Sequence, residues 1–167
     1  ILLDDSYSMS DQSGGRSVFE SATGVITQIG NQVKQLRQQR FTLIRYSRAL
    51  QASKADTADD QIDQVADLAA AFVDKDFNLL LEEKRASMQV SQLATGPGPA
   101  LELVQQLVAD NTDEKCVVYL LSDFRDNQWQ SPQEIRQSLR ELQDAEAEIQ
   151  LVQCSEALHQ NLGITYL

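Results

Sequence analysis

The chain has 167 residues, 42% of them hydrophobic, with 25 Asp and Glu against 14 Lys and Arg and a formal net charge of -11. Such length and apolar content suit one folded domain with a sizeable core and exclude a disordered chain. The acidic balance argues against nucleic acid or an anionic membrane as partner and favours cations, basic protein surfaces or plain solubility.

Ile1-Leu2-Leu3 reads as the end of a first strand. Val18, Phe19, Ala22, Val25, Ile26, Ile29, Val33 and Leu36 then recur at helical spacing, which predicts a long amphipathic helix with Gln, Asn, Lys and Arg on its outer face. Phe41 to Tyr46 is a second strand, and Ala49 to Ser53 a short edge strand paired against it. Asp59 and Asp60 open a second helix, where acids suit the positive end of the dipole. Ile62, Val65, Ala66, Ala69, Phe72 and Val73 form its buried stripe. The pattern over 75–94 is weak, with a short helix from Leu79-Leu80-Leu81 through Met88. Pro99 suits the first turn of the next helix, whose core face is Leu101, Val104, Leu107 and Val108.

Lys115 to Ser122 reads as a central strand, apolar on both faces as buried parallel strands are. Ser131-Pro132-Gln133-Glu134 is a capping box ahead of Ile135, Leu139 and Leu142 at core spacing. Glu148 to Cys154 is a further strand, and Gly163 to Leu167 begins the last. Alternating strands and helices, without repeats or a dividing linker, point to a single α/β domain over residues 1–167 with a mainly parallel sheet.

Cys116 and Cys154 flank apolar runs and read as two buried free thiols rather than a disulfide or redox pair. There is no C-x-x-C and no His/Cys cluster to suggest zinc, and the one histidine, His159, reads as a surface residue. No apolar stretch approaches the ~20 residues that span a bilayer. No signal peptide is recognisable, and an opening inside a strand without Met suggests a piece of a longer polypeptide.

The chemistry-bearing residues begin at Asp4-Asp5-Ser6-Tyr7-Ser8, a D-x-S-x-S stretch directly after the first strand. A carboxylate and two hydroxyls within five residues suit a hard cation such as Mg²⁺, which keeps several waters and takes few protein ligands. Two further segments offer one oxygen donor each. Thr95-Gly96-Pro97-Gly98-Pro99-Ala100-Leu101 is a loop running into a helix, and Val117 to Asp123 is an apolar strand ending in an acid. In a parallel sheet, ligands bind beyond the carboxyl ends of strands near the reversal in strand order, and Asp4 and Asp123 end two strands expected to be neighbours there. Each piece also has a plain structural account: the serines could satisfy local backbone, Asp123 could cap a helix, and the glycines could only shape a loop.

Together these segments resemble the metal-ion-dependent adhesion site of the von Willebrand factor type A family. Its pattern is D-x-S-x-S after the first strand, a T-x-x-G-x-A-L loop, and an Asp ending a central strand. The spacings and the order along the chain agree. The resemblance implies a doubly wound, Rossmann-like sheet with helices on both faces. It also implies a non-enzymatic module holding Mg²⁺, or Mn²⁺ or Ca²⁺. In that arrangement Ser6 and Ser8 bind the metal directly, Asp4 and Asp123 act mostly through water, and Thr95 adds a third hydroxyl and acts as the switch. One coordination position stays open for a Glu or Asp carboxylate of a partner protein. Tyr7, Phe124 and Arg125 would stand at the partner-binding rim, while packing against the neighbouring loop suits Trp129 equally well. Two features are particular to this chain. Phe124 stands where the family usually has Gly, and Asp5 occupies a variable position, able to raise cation affinity or to face solvent. Asp4 through Met9 and Ser122-Asp123-Phe124-Arg125 are similar to bacterial type A domains of double-transmembrane proteins of the aerotolerance-operator kind. There the domain is displayed outside the cytoplasmic membrane, and Asn161 to Thr165 would lead into a β-rich region.

Rival chemistries lack parts. A haloacid-dehalogenase phosphatase needs a second Asp two residues after the first, where Ser6 stands. A phospho-accepting receiver could use Asp4-Asp5 and Asp123, but no Lys closes the Glu148–Cys154 strand. Neither G-x-S-x-G nor a P-loop is present. A type A scaffold whose metal site no longer works is the remaining alternative.

Overall fold

Two fully buried residues, Leu2 and Leu3, form β1 and pair with a strand on each side. The computed structural model describes residues 1–13, 15–36, 38–52, 58–93, 95–125, 129 and 132–155. In it, β1 lies between β4 (Arg40–Arg45) and β6 (Val117–Ser122), parallel to both. β7 (Glu148–Gln153) adds in parallel beside β6, and β5 (Leu68–Phe72) closes the other edge antiparallel to β4. The order is therefore β5-β4-β1-β6-β7. A 3₁₀ turn (Tyr7–Ser10) and a small hairpin of β2 (Gln12–Ser13) and β3 (Arg16–Ser17) lead from β1 into α1 (Val18–Val33). The other helices are α2 (Tyr46–Ala49), α3 (Ala58–Val65), α4 (Phe77–Ser87), α5 (Gly98–Asp110) and α6 (Pro132–Asp144).

Side chains alternate across a strand, and here both sides find apolar cover. Leu2, Ile44, Val118 and Leu120 pack with Ile62, Val65, Leu101, Val104 and Ile135 of α3, α5 and α6. Leu3, Leu43 and Leu121 pack instead with Phe19, Ile26, Phe77 and Leu81 of α1 and α4. Each such residue contributes about 1.5–3 kcal/mol over leaving it exposed. The fold is thus α/β, a mainly parallel sheet with helices on both faces, in the doubly wound manner. Strand order reverses at β1: α1 leads from it to β4 on one side, while α5 and α6 serve β6 and β7 on the other.

α1 starts where it does because Ser17 and Glu20 cap it reciprocally. Glu20 N–H donates to Ser17 Oγ at 3.0 Å, and Ser17 N–H donates to Glu20 Oε2 at 2.8 Å. The helix ends at Val33, so Leu36 falls outside it and is exposed. Gly30 lets α4 approach: a Cβ there would meet Leu81 at 3.0 Å and Phe77 at 3.1 Å.

Two expected elements are corrected. Tyr46–Ala49 is a helical turn, so the edge strand does not begin at Ala49. The expected helix through Val73 stops at Val65, and the antiparallel edge strand is Leu68–Phe72. Three successive alanines in that stretch suit a helix locally, but the pairing with β4 wins. A register shift between Phe41 and Leu43 accommodates Ala70, whose φ is +41° and whose N–H donates to Thr42 Oγ1 at 3.1 Å. Ser131, His159, the Asn161–Thr165 tail and the Gly163–Leu167 strand lie outside the described residues, as does Ser53. Cys116 and Cys154 are free and half-buried, at opposite ends of adjacent strands. Burial pushes the Cys154 thiol up to about 12. Among the described residues no helix is long and apolar enough to cross a membrane.

Candidate functional site

The carboxyl ends of β1 and β6 bring the two acids together. Register pairs Leu3 with Leu121, so Asp4 and Ser122 come next, side by side, and Ser122 Oγ donates to Asp4 Oδ2 at 2.5 Å. The chain turns sharply after Asp4, whose Oδ1 accepts the Ser6 N–H at 2.9 Å. That turn carries Ser6 Oγ to 3.1 Å from Ser8 Oγ. Asp4 is fully buried, and Ser6 and Asp123 nearly so. Burial raises the Asp4 pKa above its usual value despite the Ser122 and Ser6 hydrogen bonds, and the nearby negative charge of Asp123 adds to the rise. Asp4, Ser6, Ser8, Ser122 and Asp123 therefore form one oxygen-rich cluster at the point where strand order reverses.

Thr95 is buried in the segment that leads into α5, its hydroxyl donating to the Gly96 carbonyl at 3.3 Å. α5 leads directly into β6 and returns along the sheet, which sets its N-terminus at the same carboxyl edge as Asp4 and Asp123. Ala100 and Leu101 of its first turns belong to the same buried cluster as Leu2 and Leu120.

The rim residues divide. Tyr7 is 66% exposed at the start of the 3₁₀ turn. Arg125 turns inward: its Nε lies 2.9 Å from Asp123 Oδ2, and its Nη2 pairs with Asp11. Phe124 adopts φ +52°, the left-handed conformation that costs a residue with a Cβ about 1–2 kcal/mol. That conformation explains why a glycine suits the position. Here the Phe124 N–H donates to Ser122 Oγ at 3.0 Å, and its ring packs on Trp129 with centroids 5.3 Å apart.

Asp5 neither joins the cluster nor faces solvent. It is fully buried on Ser47, whose N–H and Oγ donate to its two oxygens at 3.0 and 2.5 Å. Arg45 Nη1 stands 3.6 Å away, and Arg45 in turn makes a two-point pair with Asp67, which also holds Arg48. Burial raises the Asp5 pKa, and the Ser47 hydrogen bonds and the Arg45 charge hold it back.

Tyr46 is the residue that sequence reasoning missed. It follows β4, is fully buried, and its hydroxyl has no hydrogen-bond partner among the described residues. A buried polar atom left so costs about 1–3 kcal/mol. Asp123 Oδ2 differs, since Arg125 Nε stands 2.9 Å from it and supplies its counter-charge. The spacing of Tyr46 gave no warning, because a Tyr after an apolar strand reads as core.

Among the described residues no three His, Cys, Asp or Glu side chains are grouped to hold a metal ion. A cation at this edge would need the hydroxyls as donors, with the two carboxylates balancing charge. Ser6, Ser8 and Asp4, with Asp123 near Asp4, make a donor set of the chemistry that suits Mg²⁺ or Mn²⁺. A cavity of about 500 Å³ lies at the opposite, amino edge, lined by Ile1, Phe41, Val104, Val108 and Val118, away from these acids. No protein-family model matches the chain, and no curated protein matches it.

Proposed function

We propose that the chain is a von Willebrand factor type A domain that binds a protein partner through a metal ion, and that it is not an enzyme. The supporting observation is the convergence of Asp4, Ser6, Ser8 and Asp123 from two neighbouring central strands at the carboxyl edge of the sheet. Ser6 and Ser8 supply neutral oxygens, and Asp4 and Asp123 supply charge. Thr95, at the same edge, is the third hydroxyl. A bound Mg²⁺ would supply an electrophilic position for a Glu or Asp carboxylate of the partner. Neutral hydroxyls suit that task, since they leave the ion's charge little reduced. Tyr7 stands exposed beside the cluster, where it can touch such a partner. In this reading the parent is a bacterial membrane-anchored protein that shows the domain on the extracytoplasmic side.

One observation favours a second reading, a scaffold without metal. Arg125 already supplies a positive charge to Asp123. Calorimetric titration of Mg²⁺ and Mn²⁺ into metal-stripped protein separates the two. One-site binding that disappears in Asp4→Ala is the expected result. Absence of binding by the unaltered chain would leave the scaffold.

A further inference from the structure

We infer that Tyr46 is a positioning residue of this same site, its hydroxyl holding a water of the hydrated cation against Asp4. The inference rests on the metal-binding reading above and adds to it a residue outside the three motifs.

The register carries it. Leu3 pairs with Arg45 on one side and with Leu121 on the other, so the next row across three strands is Tyr46, Asp4 and Ser122. Two residues earlier the row is Ile44, Leu2 and Leu120, all packed into the layer beneath α3, α5 and α6. Alternation returns the next-but-one residue to the same face. Tyr46 does belong to that layer, which also includes Ala100 and Leu101 near the start of α5. The Ser122 Oγ to Asp4 Oδ2 hydrogen bond shows the other half of the row meeting on it. Tyr46 thus lies on the β4 side of Asp4, and Ser122 on the β6 side.

The second observation is chemical. The ring of Tyr46 is fully enclosed, and a Phe would fill that space without the penalty of an unpartnered hydroxyl. A hydroxyl with no partner among the described residues, on a side chain whose backbone is next in register to a buried carboxylate, is suited to a group that arrives with the ligand. Burial, followed by the negative charges of Asp4, Cys154, Asp123 and Asp5, raises its pKa well above the usual value, so the hydroxyl keeps its proton and remains a donor. Carboxylates that act through water need something to orient that water. Asp4 takes its hydrogen bonds from Ser6 and Ser122. A water between it and Tyr46 would accept from the phenol and donate to the carboxylate.

The test is Tyr46→Phe, read in two ways on the purified chain. Titration with Mn²⁺ or Mg²⁺ alone should show affinity reduced about 10- to 100-fold, the usual cost of losing a group that orients a metal's ligands. Urea unfolding of the metal-stripped variant should show stability unchanged or increased, because the unpartnered hydroxyl is gone. Equal affinity in variant and unaltered chain would overturn the role of Tyr46 while leaving the metal site standing. So would a large loss of metal-free stability, which would assign the hydroxyl a structural bond. No binding by the unaltered chain would remove both readings, and binding that survives Asp4→Ala would place the metal at another site.

Discussion

Asp4 and Asp5 are consecutive, both fully buried, and both raised in pKa by that burial, yet they belong to opposite kinds of cluster. Asp5 is closed off. Ser47 occupies both its oxygens, Arg45 stands near, and Asp67 and Arg48 complete a network in which acid and base balance. Asp4 has neutral partners, Ser6 and Ser122, no ion pair among the described residues, and the like charge of Asp123 nearby. A buried acid with its own counter-ion is a finished structural element. A buried acid among hydroxyls, beside a second acid and an unpartnered phenol, is stable only at a cost that a bound cation would relieve. One residue of register separates scaffold from candidate site.

The sharpest way to test the contrast is to remove the counter-ion. Arg45→Met leaves Asp5 without its base and Asp67 with Arg48 alone, and should cost about 3–5 kcal/mol in urea unfolding, as for other broken buried pairs. A loss below about 1 kcal/mol would show that Ser47 alone sustains Asp5.

A smaller effect separates the two acids directly. Asp5→Asn should lose about 1–3 kcal/mol, because an amide nitrogen cannot accept the second of the two Ser47 hydrogen bonds and presents a donor towards Arg45. Asp4→Asn should leave metal-free stability unchanged or higher, since the amide can still bond Ser6 and Ser122 and no longer faces Asp123 as a charge. It should nevertheless lose Mg²⁺ binding, which Asp5→Asn should keep. Equal losses of stability in the two variants would end the distinction.

The smallest effect lies on the β6 side of the site. Phe124 sits at φ +52°, so glycine should be tolerated there better than alanine, by about 1 kcal/mol. Alanine keeps the strained backbone and loses the ring contact with Trp129, whereas glycine releases the strain. Thermal unfolding of the two variants gives the order, and alanine equal to or better than glycine would show that the backbone can relax.

Much of this was legible along the chain because it depends on neighbours in sequence. The D-x-S-x-S turn needs only Asp4 and the next four residues, and the strands Phe41–Tyr46, Lys115–Ser122 and Glu148–Cys154 announced themselves by apolar runs. The Ser17–Glu20 capping box is equally local, an S-x-x-E spacing at the start of α1. β5 was not legible: its alanines favour a helix, and only the exposed hydrogen-bonding edge of β4 makes a strand of them. Nor could sequence show that Asp5 is buried on Ser47 and Arg45, or that Arg125 turns inward onto Asp11, since those partners lie some 40 to 114 residues away.

The sequence by itself determined the α/β class, the parallel core strands and which oxygen donors end them, because periodicity and short motifs act over a few residues. Tertiary structure alone decided which edge strand forms, which of two adjacent acids keeps a counter-ion, and that Tyr46 comes beside Asp4. Those outcomes follow from strand register, and register is set by how whole strands bury their faces against one another.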